Sequence, residues 1–71
     1  MSDGAKLAVD IGGTFTDLVL EKGDERHQAK LLTTPAAPEE AVLEGTKRIL
    51  AESNTPLDAV ELVIHGTTLA T

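Results

Sequence analysis

The chain has 71 residues, no cysteine and a formal net charge of −6 at pH 7. A chain of this length forms at most one small domain of marginal stability, because chains of about 60 residues bury only roughly 60% of their unfolded surface. Acidity without a basic cluster argues against nucleic acid or an anionic membrane as the main partner. The lack of cysteine excludes a disulfide framework, and no apolar run approaches the roughly 20 residues that span a bilayer, so we expect a cytoplasmic protein.

Three short strands are predicted in the first half of the chain. Residues 6–11 form an apolar run that ends at a glycine pair, which is typical of a strand buried on both faces. Residues 16–21 are β-branched and aliphatic, and a polar turn around Gly23 separates them from the alternating residues 26–32. These short connections predict an antiparallel meander. His27 follows the polar turn and is interpreted as solvated surface.

A helix is predicted from Pro38, which suits the first helical position, to Asn54. Gly45 lies mid-helix, where glycine costs roughly 1 kcal/mol against alanine and indicates close packing on a neighbour. The residues from Thr55 to Asp58 match a capping box, which predicts one further helical turn. The helix is amphipathic, and its predicted apolar face consists of Val42, Leu43, Thr46, Ile49, Leu50 and Ser53.

A fourth strand is predicted at residues 62–65, which gives the order β-β-β-α-β. Because a strand, helix, strand crossover is right-handed, the fourth strand should lie parallel to the first and beside it. The predicted fold class is therefore α/β, with a mixed sheet in the order third, second, first, fourth. This order brings two glycine-threonine junctions, after the first strand and after the fourth, to one edge of the sheet.

The first junction has the composition of a phosphate-binding turn. Two glycines allow positive φ and close approach of the backbone to an anion, and threonine hydroxyls add donors. A carboxylate at the end of a strand, with a second beyond the turn, suits Mg²⁺, which prefers one or two carboxylates plus substrate phosphates. Such parts position a nucleotide for phosphoryl transfer. The candidate residues are Asp10, Gly12, Gly13, Thr14, Thr16 and Asp17, with Asp10 as the metal ligand.

An ordinary tight turn is the alternative for this junction, since it matches neither a Walker loop nor a dinucleotide-binding fingerprint. Asp10 would then only accept hydrogen bonds from backbone N–H groups. At the second junction, His65 either donates to a transferred phosphate or carries a proton, or it only satisfies a backbone carbonyl. Beside it, Gly66 is a candidate for binding, and Thr67 and Thr68 either cap a helix or bind a ligand, or both.

Four blocks of the chain resemble the N-terminus of the hydantoinase A/5-oxoprolinase family, which includes acetone and acetophenone carboxylase subunits. They are DIGGTFTD at 10–17, KLLTTP at 30–35, PEEAVLEG at 38–45 and HGTTLAT at 65–71. The resemblance implies an RNase H-like start of an ATPase domain of the actin, hexokinase and Hsp70 type. It further implies that ATP and Mg²⁺ serve to phosphorylate the carbonyl oxygen of a cyclic amide, or an enolate-like oxygen in the carboxylases.

Carried onto this chain, the resemblance gives Asp10 a role toward Mg²⁺ or the phosphates and makes residues 65–68 the second wall of the cleft. Residues 1–71 would be the N-terminal part of the ATPase domain. The remainder of that domain and a B-type subunit or domain would then be its partners, and the chain alone is expected to be inactive. One alternative is a non-catalytic module that self-associates through the edge of the fourth strand and an unfinished helix. Another is a sugar or acetate kinase of the same superfold, and the block at 65–71 argues against it.

Overall fold

The computed structural model describes residues 4–66, which form four strands, one α-helix and one short 3-10 helix. The strands agree with the predicted ones to within two residues at each end. In chain order the elements are β1 (Ala5–Ile11), β2 (Phe15–Lys22), β3 (Glu25–Leu32), α1 (Glu39–Ser53), the 3-10 helix (Leu57–Ala59) and β4 (Val60–Gly66).

The strands form one sheet in the order β3-β2-β1-β4. β1 pairs antiparallel with β2 and parallel with β4, and β2 pairs antiparallel with β3. The predicted meander, the parallel position of β4 beside β1 and the sheet order are therefore confirmed. The connection from β3 through α1 to β4 is the crossover that allows a parallel neighbour.

Helix α1 covers one face of the sheet, which we call the helix face. The core between them contains the fully buried side chains of Leu7, Leu18, Leu20 and Ile49. Within β1, buried and exposed residues alternate strictly, so the prediction that this strand is buried on both faces is wrong for the described part of the chain. The sequence alternates only weakly here, because Ala8, a small residue that tolerates either environment, lies on the same face as the polar Lys6 and Asp10. We call the second face, on which Ala8 lies, the open face.

Gly45 is buried where α1 meets the sheet. A Cβ placed on Gly45 would lie 2.6 Å from Leu18 Cδ1 and 3.0 Å from Leu31 Cδ1, which confirms the predicted close packing. The predicted apolar face of α1 is right for Val42, Ile49 and Ser53, which are buried. It is wrong for Leu43, which is 60% exposed. Because 3.6 residues make one turn, Leu43 lies about 200° around the helix from Gly45 and points away from the sheet.

The end of α1 is formed by Asn54, as predicted, in the left-handed conformation with φ 54° and ψ 47°. The predicted further helical turn is confirmed as the 3-10 helix, but the capping box is wrong. The Thr55 hydroxyl bonds backward, donating to the Ser53 carbonyl oxygen at 3.2 Å and accepting from the Ser53 hydroxyl at 2.9 Å. The 3-10 helix that follows has Pro56 at its N-cap with no side-chain cap bond. At its other end, α1 begins after Pro38, whose φ of −62° and ψ of −21° are already helical, so this proline starts the helix as predicted.

His27 is not solvated surface, and that interpretation is wrong. It pairs with Leu20 and lies on the helix face, where its side chain is 22% exposed. Its Nε2 is 3.1 Å from Glu25 Oε1, and its Nδ1 is 3.8 Å from Glu52 Oε1 on α1. In residues 4–66, no helix is both long enough and apolar enough to cross a membrane.

Candidate functional site

Four polar side chains form a row across the open face, one from each strand. Asp10 of β1 is paired with Asp17 of β2 on one side and with His65 of β4 on the other. Asp17 is in turn paired with Lys30 of β3. Because paired residues of neighbouring strands point to the same face, the register brings these groups together, and all four are exposed. Three of the predicted site residues, Asp10, Asp17 and His65, therefore lie side by side.

The charges of this row are unevenly balanced. Lys30 Nζ lies 3.9 Å from Asp17 Oδ1 and 5.1 Å from the centroid of the Phe15 ring. Both partners of this ion pair are more than half exposed, so it contributes only about 0–1 kcal/mol. The Asp10 and Asp17 carboxylates stand directly opposite each other, an arrangement that is destabilising for like charges. A cation bound between them would remove that repulsion.

The Asp10, Asp17 and His65 side chains border a shallow depression of about 340 Å³ on the open face. Its other lining residues are apolar, namely Ala8, Val9, Val19 and Val63. Among residues 4–66, no group of three or more His, Cys, Asp or Glu side chains is arranged to hold a metal ion by itself. The pair of carboxylates still fits Mg²⁺, which takes one or two carboxylates and completes its shell with water and substrate phosphates.

The turn between β1 and β2 is held closed by its own backbone. The Gly12 N–H donates to the Phe15 carbonyl oxygen at 2.9 Å, and a Cβ on Gly12 would lie 2.9 Å from that same oxygen. Glycine is thus required here by close approach within the turn. In the described residues, positive φ among glycines occurs at Gly23, so the glycine pair does not use the positive φ that its residue type allows. Gly13 and Thr14 are exposed and remain accessible to a ligand.

Thr16 is separated from the row, because successive strand residues point to opposite faces. It is fully buried on the helix face, and its Oγ1 lies 2.8 Å from Thr33 Oγ1. Gly66 pairs with Ile11, so β4 ends beside the point where the turn after β1 begins. The two junctions therefore meet at one edge of the sheet as far as Gly66, while the predicted site residues Thr67 and Thr68 lie outside the described residues.

Sequence reasoning missed Lys30 as a neighbour of the site and Thr33 as the partner of Thr16. The signal for Lys30 was present in the hairpin. Its short turn pairs Lys22 with Glu25, and counting back from this pair along both strands places Asp17 opposite Lys30. Thr33 follows the end of β3, where no such counting applies.

The chain belongs to the family described as "Hydantoinase/oxoprolinase N-terminal region", whose sequence model matches residues 6–71. This confirms the resemblance found in the four sequence blocks.

Three curated proteins are similar to it. An uncharacterized protein of Methanocaldococcus jannaschii is 39% identical over 70 residues, which cover 96% of this chain and 10% of that protein. 5-Oxoprolinase 1 of Arabidopsis thaliana is 36% identical over 78 residues, covering 93% of this chain and 6% of that protein. The acetophenone carboxylase gamma subunit of Aromatoleum aromaticum is 36% identical over 68 residues, covering 90% of this chain and 9% of that protein. The chain thus spans a tenth or less of the length of these relatives.

Proposed function

We propose that this chain forms one wall of the nucleotide site of an ATP-dependent enzyme that phosphorylates the carbonyl oxygen of a cyclic amide, as a step in its hydrolysis. The family and the similarity to a 5-oxoprolinase support the class of reaction. The observation that carries the proposal is the register that sets Asp17, Asp10 and His65 side by side on the open face. In this proposal, ATP bound with Mg²⁺ supplies the phosphoryl group.

The proposed roles follow from the placement of the side chains. Asp10 holds Mg²⁺ through its exposed carboxylate, directly or through water, and Asp17 on the facing strand acts as the second carboxylate. Gly13 and Thr14 present the exposed part of the turn to the phosphates. His65 lies on the opposite side of Asp10 from Asp17, where its imidazole can donate to the transferred phosphate or carry a proton.

Two further residues at the junctions belong to the proposal. Gly12 shapes the turn, since its own N–H is bonded within it, and Gly66 brings the end of β4 next to that turn. Thr67 and Thr68 are proposed to continue the second wall of the cleft. Thr16 supports the turn from the helix face through its contact with Thr33.

We propose that the chain has no ATPase activity alone. The row lies on an exposed face, and electrostatic stabilisation of a transition state requires preorganised groups in a site from which water is excluded. The remainder of the ATPase domain, and a B-type subunit or domain that completes the reaction, are the proposed partners. A phosphate-release assay on the purified chain tests this point, and nucleotide turnover by the chain alone would contradict it.

The proposed function is tested by Asp10→Asn in the whole protein that carries this chain. This change removes the charge and keeps the shape, and we expect kcat of ATP-dependent amide hydrolysis to fall by at least about 100-fold. Asp24→Asn in the turn between β2 and β3 is the matched control, since it makes the same chemical change far from the row. Near-normal kcat in Asp10→Asn would refute the assignment.

A second candidate within the family is an ATP-dependent ketone carboxylase subunit, which the similarity to an acetophenone carboxylase gamma subunit favours. The substrate separates the two. A hydrolase should consume ATP when hydantoin or 5-oxoproline is added, whereas a carboxylase should form a carboxylated product from a ketone, bicarbonate and ATP.

A third candidate is a non-catalytic module that self-associates. The exposure of Leu62, Val63 and Ile64 on β4 favours it. Concentration-dependent sedimentation without any nucleotide-induced change in the amide spectrum of the chain would support this candidate over both enzymes.

A further inference from the structure

Lys30 is the basic residue of the open face that lies beside the row of Asp17, Asp10 and His65. The chain has six lysines and arginines, and all of them fall within residues 4–66. Lys6 and Arg26 share the open face, but each lies four residues from the row along its strand, which is about 13 Å. The other three belong to the helix side of the sheet or to α1 itself: Lys22, Lys47 and Arg48.

The ammonium group of Lys30 is placed by two side chains of β2. Its Nζ lies 3.9 Å from Asp17 Oδ1 and 5.1 Å from the centroid of the Phe15 ring. Phe15 is the only aromatic residue of the sequence, and it is 44% exposed. Its carbonyl oxygen closes the turn after β1 by accepting from the Gly12 N–H. The same residue thus shapes the turn with its backbone and holds the Lys30 ammonium at the end of that turn with its ring.

These two contacts leave the ammonium group of Lys30 able to bind an anion. A lysine ammonium has three N–H donors. The Asp17 oxygen at 3.9 Å is beyond hydrogen-bond distance, so the ion pair uses none of them. Phosphate oxygens are acceptors with which lysine forms charge-assisted hydrogen bonds. Lys30 therefore brings both the charge and the donors that a phosphate requires.

The order of the row indicates which phosphates Lys30 contacts. Lys30 and His65 stand on opposite sides of the Asp17 and Asp10 pair, three strand spacings or about 14 Å apart. In the proposed function, His65 attends to the transferred phosphate. A triphosphate that lies across the carboxylate pair then has its nucleotide end at Lys30. The two carboxylates cancel the charge of one Mg²⁺, so the phosphates at this end gain from a cation that the protein supplies.

We propose that Lys30 binds the phosphates that stay on the nucleotide, and that Phe15 is the positioning residue that holds its ammonium group at the turn. This assignment rests on the proposed function. It gives the acidic row a basic member directed at the ligand, and it gives the single aromatic residue of the chain a part in nucleotide binding.

Lys30→Met in the whole protein that carries this chain tests the contact. Calorimetry without the cyclic amide measures the dissociation constants of MgATP and MgADP. We expect both to rise at least about tenfold and by similar factors, because both nucleotides keep the phosphates that Lys30 binds. Lys30→Arg keeps the charge and should lose less affinity. Arg26→Met removes a charge from the same face of β3 at its far end, and this matched control should leave both constants unchanged.

Phe15→Leu tests the positioning role. This change removes the ring and keeps an apolar side chain, and it should raise both dissociation constants about 2–5-fold. In the Lys30→Met background the same change should have no further effect, since the ring then has no ammonium group to hold. Equal factors in the two backgrounds would mean that Phe15 acts on the turn itself, and would overturn its positioning role.

The outcomes separate the role of Lys30 from the proposed function. If the wild-type protein binds MgATP and Lys30→Met binds both nucleotides equally well, the role of Lys30 is refuted and the proposed function stands. A loss of affinity for MgATP alone would place Lys30 at the transferred phosphate and overturn the assignment. A wild-type protein that binds neither nucleotide would overturn the proposed function and this role with it. Because Lys30 and Phe15 are exposed, we expect circular dichroism to show the wild-type fold in every variant.

Discussion

The substitution Gly45→Ala has two opposing effects on the free energy of unfolding, one on helix propensity and one on the packing of α1 against the sheet. Alanine in place of glycine inside a helix stabilises by about 1 kcal/mol. The new Cβ, however, would lie 2.6 Å from Leu18 Cδ1, 2.9 Å from Leu18 Cδ2 and 3.0 Å from Leu31 Cδ1. Both methyl groups of Leu18 are in the way, so Leu18 must adopt another rotamer or α1 must move away from the sheet.

Leu18 is fully buried and belongs to the core cluster, so its side chain is surrounded by packed neighbours. Forcing an extra methyl group into a packed core costs about 1–3 kcal/mol, which exceeds the gain in helix propensity. We expect a net loss of about 1 kcal/mol in the free energy of unfolding. For a domain of this size that loss lowers Tm by about 4–8 °C.

The assay is urea unfolding of Gly45→Ala, of Leu18→Val and of the double variant. Because valine lacks the two Cδ methyl groups of leucine, the double variant should regain stability, with a coupling energy of about 1 kcal/mol or more between the sites. Gly23→Ala is the control. Gly23 has φ +59° and no heavy atom within 4 Å of an added Cβ, so this change costs about 1–2 kcal/mol through backbone strain and should not couple to Leu18. A rise in Tm for Gly45→Ala would refute the packing argument.

Two further predictions concern the end of α1 and the buried hydroxyl pair. Asn54 has φ 54°, so Asn54→Ala should lower the free energy of unfolding by about 1 kcal/mol, whereas Asn54→Gly should not. Thermal melts compare the two variants, and equal losses would contradict this reason. Thr16→Val should cost about 0.5–1.5 kcal/mol by removing the hydrogen bond with Thr33, measured by urea unfolding. In the whole protein the same variant should leave the KM for ATP unchanged, and a raised KM would instead assign the Thr16 hydroxyl to phosphate binding.

The sheet could be predicted from the sequence because its signals are local. Alternation, the turn at Gly23 and the handedness of a crossover together give the order β3-β2-β1-β4. The errors concern which face a residue occupies. His27 was misplaced because the phase of β3 depends on its pairing with β2 and not on its charged neighbours. A separate error concerns Thr55, whose hydroxyl was expected to accept from a backbone N–H ahead of it. It bonds backward to Ser53 instead, donating to the carbonyl oxygen and accepting from the hydroxyl.

For the candidate site, residue types at the junctions indicated Asp10, Asp17 and His65, and the register placed them together. The same reasoning assigned Thr16 to the ligand, although strand geometry sends it to the opposite face from Asp17. Sequence chemistry alone does not distinguish a hydroxyl that supports a turn from one that binds in it. The pairing shows that Thr16 and Asp17 lie on opposite faces, and the KM of the Thr16→Val variant tests which role the hydroxyl has.

The neighbours of Asp10 differ in when they reach it during folding. Asp17 arrives through a hairpin, which forms in about 1–10 μs, whereas His65 comes from the far end of the chain and must close a long loop. We therefore expect the two carboxylates to come together early and locally, and the imidazole to join them when β4 docks. During synthesis, a ribosome that has released β1 and β2 presents both carboxylates before His65 exists. Any factor that delays docking of β4 would leave the row incomplete, in a hairpin that is marginally stable at best by itself.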